Sequence, residues 1–405
     1  MLLLDLTHTA HTGSLTGIQR VTRSLWKALG SGSLPVCHDP HLRDWRPLEG
    51  WEIRNLSVRT PAARRGASWP LVSRVRGTLR RFAGGGSAFP GCDPDPAGRK
   101  RGLIEPEIFS PAVAKALPPL FARAPGPRVA LFYDAIALTH PELTPSGTVA
   151  RFPGYLRELL AFDGIAAISE ESRDALLGYW RWLGARGAPP VVAIPLALSE
   201  VGGLANRPLN PTPGPYGPTV LSVGTLEGRK NHLALLDACE ILWARGLAFE
   251  LRLIGMAQSQ TGRNALSRIA DLRGRCRPVR YEGPADEVEL ERAYGECAFT
   301  VYPSLGEGFG LPVIESLGRG RACVCLGRGA LGEAARGGGC LALDSVDAGS
   351  LAEAIARLLT NPAELARLEN EAAGRKFKTW NDNARALTAW MDGLEPSREP
   401  VAVRE

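Results

Sequence analysis

No stretch of this chain approaches the roughly 18 to 20 consecutive apolar residues that a bilayer-spanning helix needs, so a transmembrane anchor is not expected. The opening run from Met1 to Leu6 is too short for a signal-peptide core and has no basic residue before it. It reads as a first buried strand, and the protein is expected in the cytoplasm. Cysteine is sparse and scattered: only Cys323 and Cys325 lie close, one residue apart in an apparent strand, and no second pair completes a zinc site. Reduced, mostly buried thiols are the reading. From Arg59 to Arg81 acid is absent altogether while seven arginines occur, and without that segment the net charge of +6 all but vanishes. The basicity is therefore a local patch, which argues against a general nucleic-acid partner.

At 405 residues, 44% hydrophobic and 22% charged, the chain is too long for one core and too apolar for disorder, so two globular domains are expected. From residue 219 on, short β-rich runs alternate with amphipathic ones. The strands read are Thr219 to Val223, Phe249 to Ile254, Val279 to Glu282, Phe299 to Tyr302, Ala322 to Leu326 and Cys340 to Leu343. The first half repeats the theme at Leu2 to Leu6, Val129 to Phe132, Gly164 to Ile168 and Val191 to Ile194. Alternation of this kind means parallel sheets covered by helices on both faces. The Pro- and Gly-rich segment 206–218 is read as a linker between domains 1–205 and 219–380, and 381–395 as a terminal helix with Ala384, Leu387, Trp390 and Met391 on its apolar stripe.

Two motifs carry chemistry. In the run from Tyr302 to Glu315, a strand ends, a glycine-rich turn follows and Pro312 sits in the first turn of a helix, so the amides of Phe309, Gly310 and Leu311 face the strand ends, where a diphosphate fits. Glu307 on the loop and Glu315 on the helix would repel that diphosphate, so hydroxyl groups, as on a sugar and a ribose, are their partners. In the run from Ser222 to His232, Arg229 and Lys230 bring fixed positive charge to the first loop of the domain.

Taken in order, Gly224-Thr225-Leu226-Glu227 with Arg229-Lys230-Asn231, Leu253-Ile254-Gly255, Tyr281-Glu282-Gly283, and Glu307 followed by Glu315 resemble the retaining glycosyltransferases of family four, over most of residues 218 to 380. That resemblance implies the GT-B fold, an α/β architecture of two Rossmann-like doubly wound domains facing a central cleft. It also implies a retaining, metal-independent hexosyltransferase, with mannose among the sugars it allows, working on a UDP- or GDP-sugar without a cofactor. Arg229 and Lys230 would bind the donor diphosphate, Glu307 the donor sugar and Glu315 the ribose. Relatives often have Arg at the position of Thr225, which shifts charge neutralisation onto Arg229 and Lys230.

The first half resembles the family more weakly. Thr16-Gly17-Ile18-Gln19-Arg20 is similar to the glycine loop that approaches the transferring sugar, and Asp134 and Ser169 fall near family positions at strand ends. Relatives commonly place His before that Asp, where this chain has Tyr133, a residue that still carries a hydrogen-bond donor. His8 and His11 read as exposed loop histidines. The resemblance thus gives a catalytic set of Glu307, Lys230, Arg229 and Asp134, and a donor-binding set of Gly17, Thr225, Glu282, Phe309, Gly310, Leu311 and Glu315. The acceptor it implies is a saccharide or lipid-linked glycan, as in surface-polysaccharide synthesis. An epimerase or phosphorylase on the same fold, and an inactive module that binds membranes or polyanions, are the alternatives.

From Leu71 to Phe82, projection at about 100° per residue gathers Leu71, Val72, Val75, Leu79 and Phe82 in one arc and leaves Arg74, Arg76, Arg80 and Arg81 outside it. Two readings remain open at this point: an interfacial helix on an anionic membrane, which would make the protein peripheral on the inner face, or a surface helix packed on its own domain.

Overall fold

A computed structural model describes residues 1–12, 16–57, 68–83, 102–198 and 214–396. They form two compact units: unit 1 is Met1–Asp134, Arg151–Ala197 and Thr379–Glu405, and unit 2 is Ala135–Ala150 and Leu198–Lys378. The expected linker lies outside the described residues up to 213; its end makes a small bridge between Gly214 and Gly217.

Among its described residues unit 1 holds seven strands: β1 (Leu2–Asp5), β2 (Ser33–Asp39), β3 (Asp44–Pro47), β4 (Leu103–Glu105), β5 (Arg128–Phe132), β6 (Gly164–Ala167) and β7 (Val191–Ala193). They lie in the order β3-β2-β1-β4-β5-β6-β7 and all pair in parallel except β2 with β3. Strands β2, β3 and β4 have no counterpart in the sequence reading. Pro35 interrupts the pattern of β2, Asp44 and Arg46 put charge into β3, and β4 ends on the carboxylate of Glu105. The last helix, Trp380–Asp392, belongs to this unit, where Trp390 and Leu394 cover Gly164 and Met391 reaches Gly102.

Unit 2 holds β8 (Thr219–Val223), β9 (Glu250–Ile254), β10 (Val279–Tyr281), β11 (Phe299–Tyr302), β12 (Cys323–Leu326) and β13 (Cys340–Leu343), all parallel, in the order β10-β9-β8-β11-β12-β13. Each lies within one residue of its expected bounds. The strands are apolar on both faces because helices cover both, and Leu235, Leu242, Phe249, Val301, Leu351 and Ile355 are wholly buried between the layers. The strand order reverses between β8 and β11, and loops at such a switch point part to leave room for a ligand.

The carboxyl ends of β8, β9 and β10 are stitched together by Gly224 N to Ile254 O at 2.8 Å and Gly255 N to Gly283 O at 2.7 Å. Gly255 has φ of +148°, and a Cβ there would stand 2.0 Å from Gly224 O, so no larger residue fits. Gly255→Ala is expected to lower stability by at least about 2 kcal/mol. Gly246→Ala, at φ of +85° with nothing within 4 Å, should cost only about 1 kcal/mol. Denaturant unfolding of the two variants checks the difference.

Candidate active site

The loops that leave β8 and β11 carry most of the charge at the switch point of unit 2. After β8 the chain makes a single 3₁₀ turn, Gly228–Lys230, and Asn231 then enters the left-handed region at φ of +55° to start the helix His232–Ala244. That turn puts Arg229 and Lys230 side by side. Leu305 N donates to Arg229 O at 2.9 Å and fastens the second loop to the first. Glu307 then lies between the two cations: Arg229 Nη1 donates to its Oε2 at 2.7 Å, and Lys230 Nζ donates to its Oε1. Arg229 also pairs with Glu227 at 2.8 Å. Burial alone would push the Glu307 carboxyl up, but Arg229 and Lys230 outweigh it and bring it down to about 2.

Gly310 takes φ of +92°, and the helix Leu311–Leu317 begins after it with Pro312 in its first turn. Glu315, on that helix, is only 4% exposed. Thr225 and Phe309 are half-buried. Glu282 is not brought into the Arg229–Lys230–Glu307 group. It follows the edge strand β10, where Arg252 and Arg280 each hold its carboxylate at 2.9 Å.

Two residues of the segment Ala135–Ala150 that sequence reasoning missed belong here. Leu143 lies against Gly228, and the His140 ring against Gly306, each within about van der Waals reach of a side-chain carbon built at that glycine. Their segment shows no periodic signal that would tie it to unit 2. His232 was missed too. It is buried, its Nδ1 has no partner among the described residues, and burial with the Lys230 charge behind it brings it from 6.5 down to about 4.

Gly17, Asp134 and Tyr133 belong to unit 1. Gly17 opens the helix Gly17–Leu29, capped by Thr16, whose backbone N–H reaches Gln19 Oε1 at 3.0 Å. Tyr133 is buried and its hydroxyl donates to Pro106 O at 2.6 Å, so the proton that sequence reasoning kept for a sugar is already committed. Asp134 is half-buried. Ser169 caps the helix Glu170–Trp182 by accepting from Ser172 N at 3.1 Å.

His8 is exposed as read, but His11 is not. It is buried, stacked on Trp69 at 4.0 Å, with Nε2 2.6 Å from Glu52 and Nδ1 2.5 Å from Thr7 O. The sequence also concealed a buried acid cluster at the switch point of unit 1, between β1 and β4. Asp5 and Glu105 end those strands, and Glu107 accepts from the His8 and Thr9 amides at 2.7 Å each. Burial raises Glu107 to about 8 and Glu105 well above the usual carboxyl range.

Residues 217–361 match the family model described as Glycosyl transferases group 1. This region is a group 1 glycosyltransferase domain. It contains both charged loops. The serotype-specific mannosyltransferase WbdA of Escherichia coli is 25% identical over 346 residues, 78% of this chain but only 37% of that protein, so the chain spans little more than a third of it. The O-antigen chain mannosyltransferase B of Escherichia coli is 26% identical over 272 residues, 65% of this chain and 69% of that one. Among solved structures, HepE of Anabaena, determined in complex with UDP and glucose, shares the fold with a TM-score of 0.63 at 15% identity, over 97% of this chain and 99% of that one. The fold is GT-B, two parallel-sheet α/β domains.

His232 and Glu307 make the group 1 domain acid-sensitive with a definite sign. Both groups have folded values below their usual ones, so both stabilise at neutral pH and lose that contribution as pH falls. For His232 the loss runs from 6.5 down to about 4; for Glu307 it runs from 4.5 down to about 2. Thermal melts across this range should lose the upper component in His232→Phe and the lower one in Glu307→Gln.

Proposed function

We propose that the chain is a retaining glycosyltransferase that moves a sugar, mannose by likeness to its relatives, from a nucleoside-diphosphate donor to a saccharide or lipid-linked acceptor in surface-polysaccharide synthesis. The observation that carries this reading is the pairing of Arg229 and Lys230 with Glu307 at the switch point of unit 2, inside the region that matches the group 1 model. Both relatives are described as mannosyltransferases, which favours transfer over the epimerase, phosphorylase and binding-module alternatives. On this reading the donor diphosphate takes over the two cations, and Glu307, released from them, turns to the sugar hydroxyls. Phe309, Gly310, Leu311 and Thr225 line the phosphate side, and Glu315 accepts from the ribose. Gly17 and Asp134 keep the sugar-side roles that the family resemblance gives them; Glu282, already held by two arginines, orders the sheet edge beside the base. Transfer is a front-face displacement: the departing diphosphate oxygen takes the acceptor proton while Lys230 and Arg229 absorb the charge that grows there.

Thermal shift against UDP, GDP and ADP identifies the base, since ligand at about 100 times its Kd stabilises by about 2.7 kcal/mol. Glu315→Ala is expected to weaken nucleotide binding, and Glu307→Ala chiefly to lower kcat. Lys230→Ala should slow single-turnover transfer more than Lys230→Arg. Unchanged nucleotide affinity in Glu315→Ala, or full activity in Lys230→Ala, would overturn those roles.

The same proposal brings the chain to the membrane surface through the helix Leu71–Phe82. None of the described helices is long and apolar enough to cross a membrane. This one is seated on unit 1 by its small, polar side: Ser73 Oγ donates to Glu49 at 2.9 Å, Arg76 pairs with Glu49 at 3.1 Å, and a side chain at Gly77 would press on His41, Leu42 and Asp39. The apolar arc lies about half a turn away and is exposed, from 50% at Val75 to 79% at Phe82. Arg74 and Arg81 flank it on one side, Arg76 and Arg80 on the other. An apolar stripe edged by cations suits the headgroup layer of an anionic leaflet, where each arginine adds about 1 kcal/mol. Co-sedimentation with phosphatidylglycerol vesicles should fall as salt rises, and should be lost when Arg74, Arg76, Arg80 and Arg81 become Gln, with activity on a soluble acceptor retained. Wild-type protein that stays in the supernatant at low salt ends the membrane reading.

A further inference from the structure

Cys323 and Cys325 alternate along β12 and so present their sulfurs on one face of the sheet. The sequence shows no partner for them, but the parallel register sets Cys340 of β13 directly beside Cys323. The three sulfurs all lie within 4.8 Å of one another. Metal–sulfur bonds of about 2.3 Å hold the sulfurs of a three-coordinate or tetrahedral site about 4 Å apart, so a small inward movement would close these three on one ion. All are free thiols; Cys323 and Cys325 are buried, and Cys340 is half-buried, giving an approach from one side.

Among the described residues, the side-chain group that could hold an ion here consists of these three sulfurs. Leu317 and Ala372 pack against Gly339, and the carboxylate of Glu371 is engaged by Gly339 N at 2.9 Å. Arg375 reaches Gly338 O at 3.3 Å, bringing positive charge to the side where a thiolate cluster gathers negative charge. The other grouping of possible ligands among the described residues, His11, Cys37 and Glu52, is already closed by Arg46, which bonds to Glu52 at 2.7 and 2.8 Å.

We propose that Cys323, Cys325 and Cys340 form a site for one thiophilic metal ion in unit 2, apart from the donor-binding residues. An all-sulfur set selects soft ions over the hard divalent cations that oxygen ligands prefer. Binding breaks three S–H bonds, releases three protons to solvent and forms three metal–sulfur bonds without change of oxidation state.

Cadmium(II) is the probe. Titrated into the reduced full chain, it should bind with one ion per chain, give a sulfur-to-metal charge-transfer band, raise the thermal midpoint and show a cadmium NMR resonance in the downfield range of multi-thiolate sites. Cys340→Ser should weaken binding by more than about tenfold, whereas Cys276→Ser, at an exposed thiol, should leave it unchanged. The cadmium resonance needs no variant and so decides the matter if Cys340→Ser folds poorly. Absence of the charge-transfer band, a resonance outside the thiolate range, or equal affinity in a folded Cys340→Ser variant would overturn the site and leave three thiols packed as small apolar groups.

Discussion

Two cations held beside one another out of bulk water repel unless something anionic is placed between them, and in unit 2 that something is Glu307. Its carboxylate ties Arg229 and Lys230 together and, with Leu305 N on Arg229 O, locks the loop after β11 to the loop after β8. Glu227 compensates the far side of Arg229. Charge at the switch point is thus balanced by carboxylates that an anion would have to displace. Any anion that binds there gains only the difference between two well-satisfied states.

The β-strand ends around this group are rigid for a separate reason. Gly224 and Gly255 meet backbone to backbone, and the ladder of amides from β8 to β10 passes through them. Side chains that hold one another by charge need a frame that does not yield, since an ion pair loses its advantage when either partner wanders. At the basic helix of unit 1 the logic is reversed: Ser73 and Gly77 are small enough to let the helix settle close to Asp39 and Glu49, which leaves the large apolar side chains facing outward.

Most of unit 2 was legible in the sequence because its strands are buried on both faces and its motifs sit at their ends, where spacing reports position. Arg229, Lys230 and Glu307 were found together for that reason, although their mutual pairing was not foreseen, because distance in the chain says nothing about which side chains meet. Unit 1 was harder. Its strands β1, β5, β6 and β7 were read, but Pro35 breaks β2, Asp44 and Arg46 put charge into β3, and Asp5 and Glu105 are charged residues in positions where apolar ones are the rule. His11 looked like a loop histidine because nothing local marks its stacking on Trp69 or its bond to Glu52. Cys340 stayed unpaired for the same reason: register between strands is a property of the sheet.

The path of the chain is not that of two beads on a string. It leaves unit 1 after Asp134, returns at Arg151, leaves again after Ala197 and comes back at Thr379. A cut in the proline-rich segment would therefore not yield two whole modules. The C-terminal piece would lack Ala135–Ala150, with His140 and Leu143 beside the charged loops, and would carry off Trp390 and Met391, which unit 1 needs over Gly164 and Gly102. Exchange of unit 2 between relatives, by recombination or in the laboratory, has to carry two separated stretches together and leave the last helix behind.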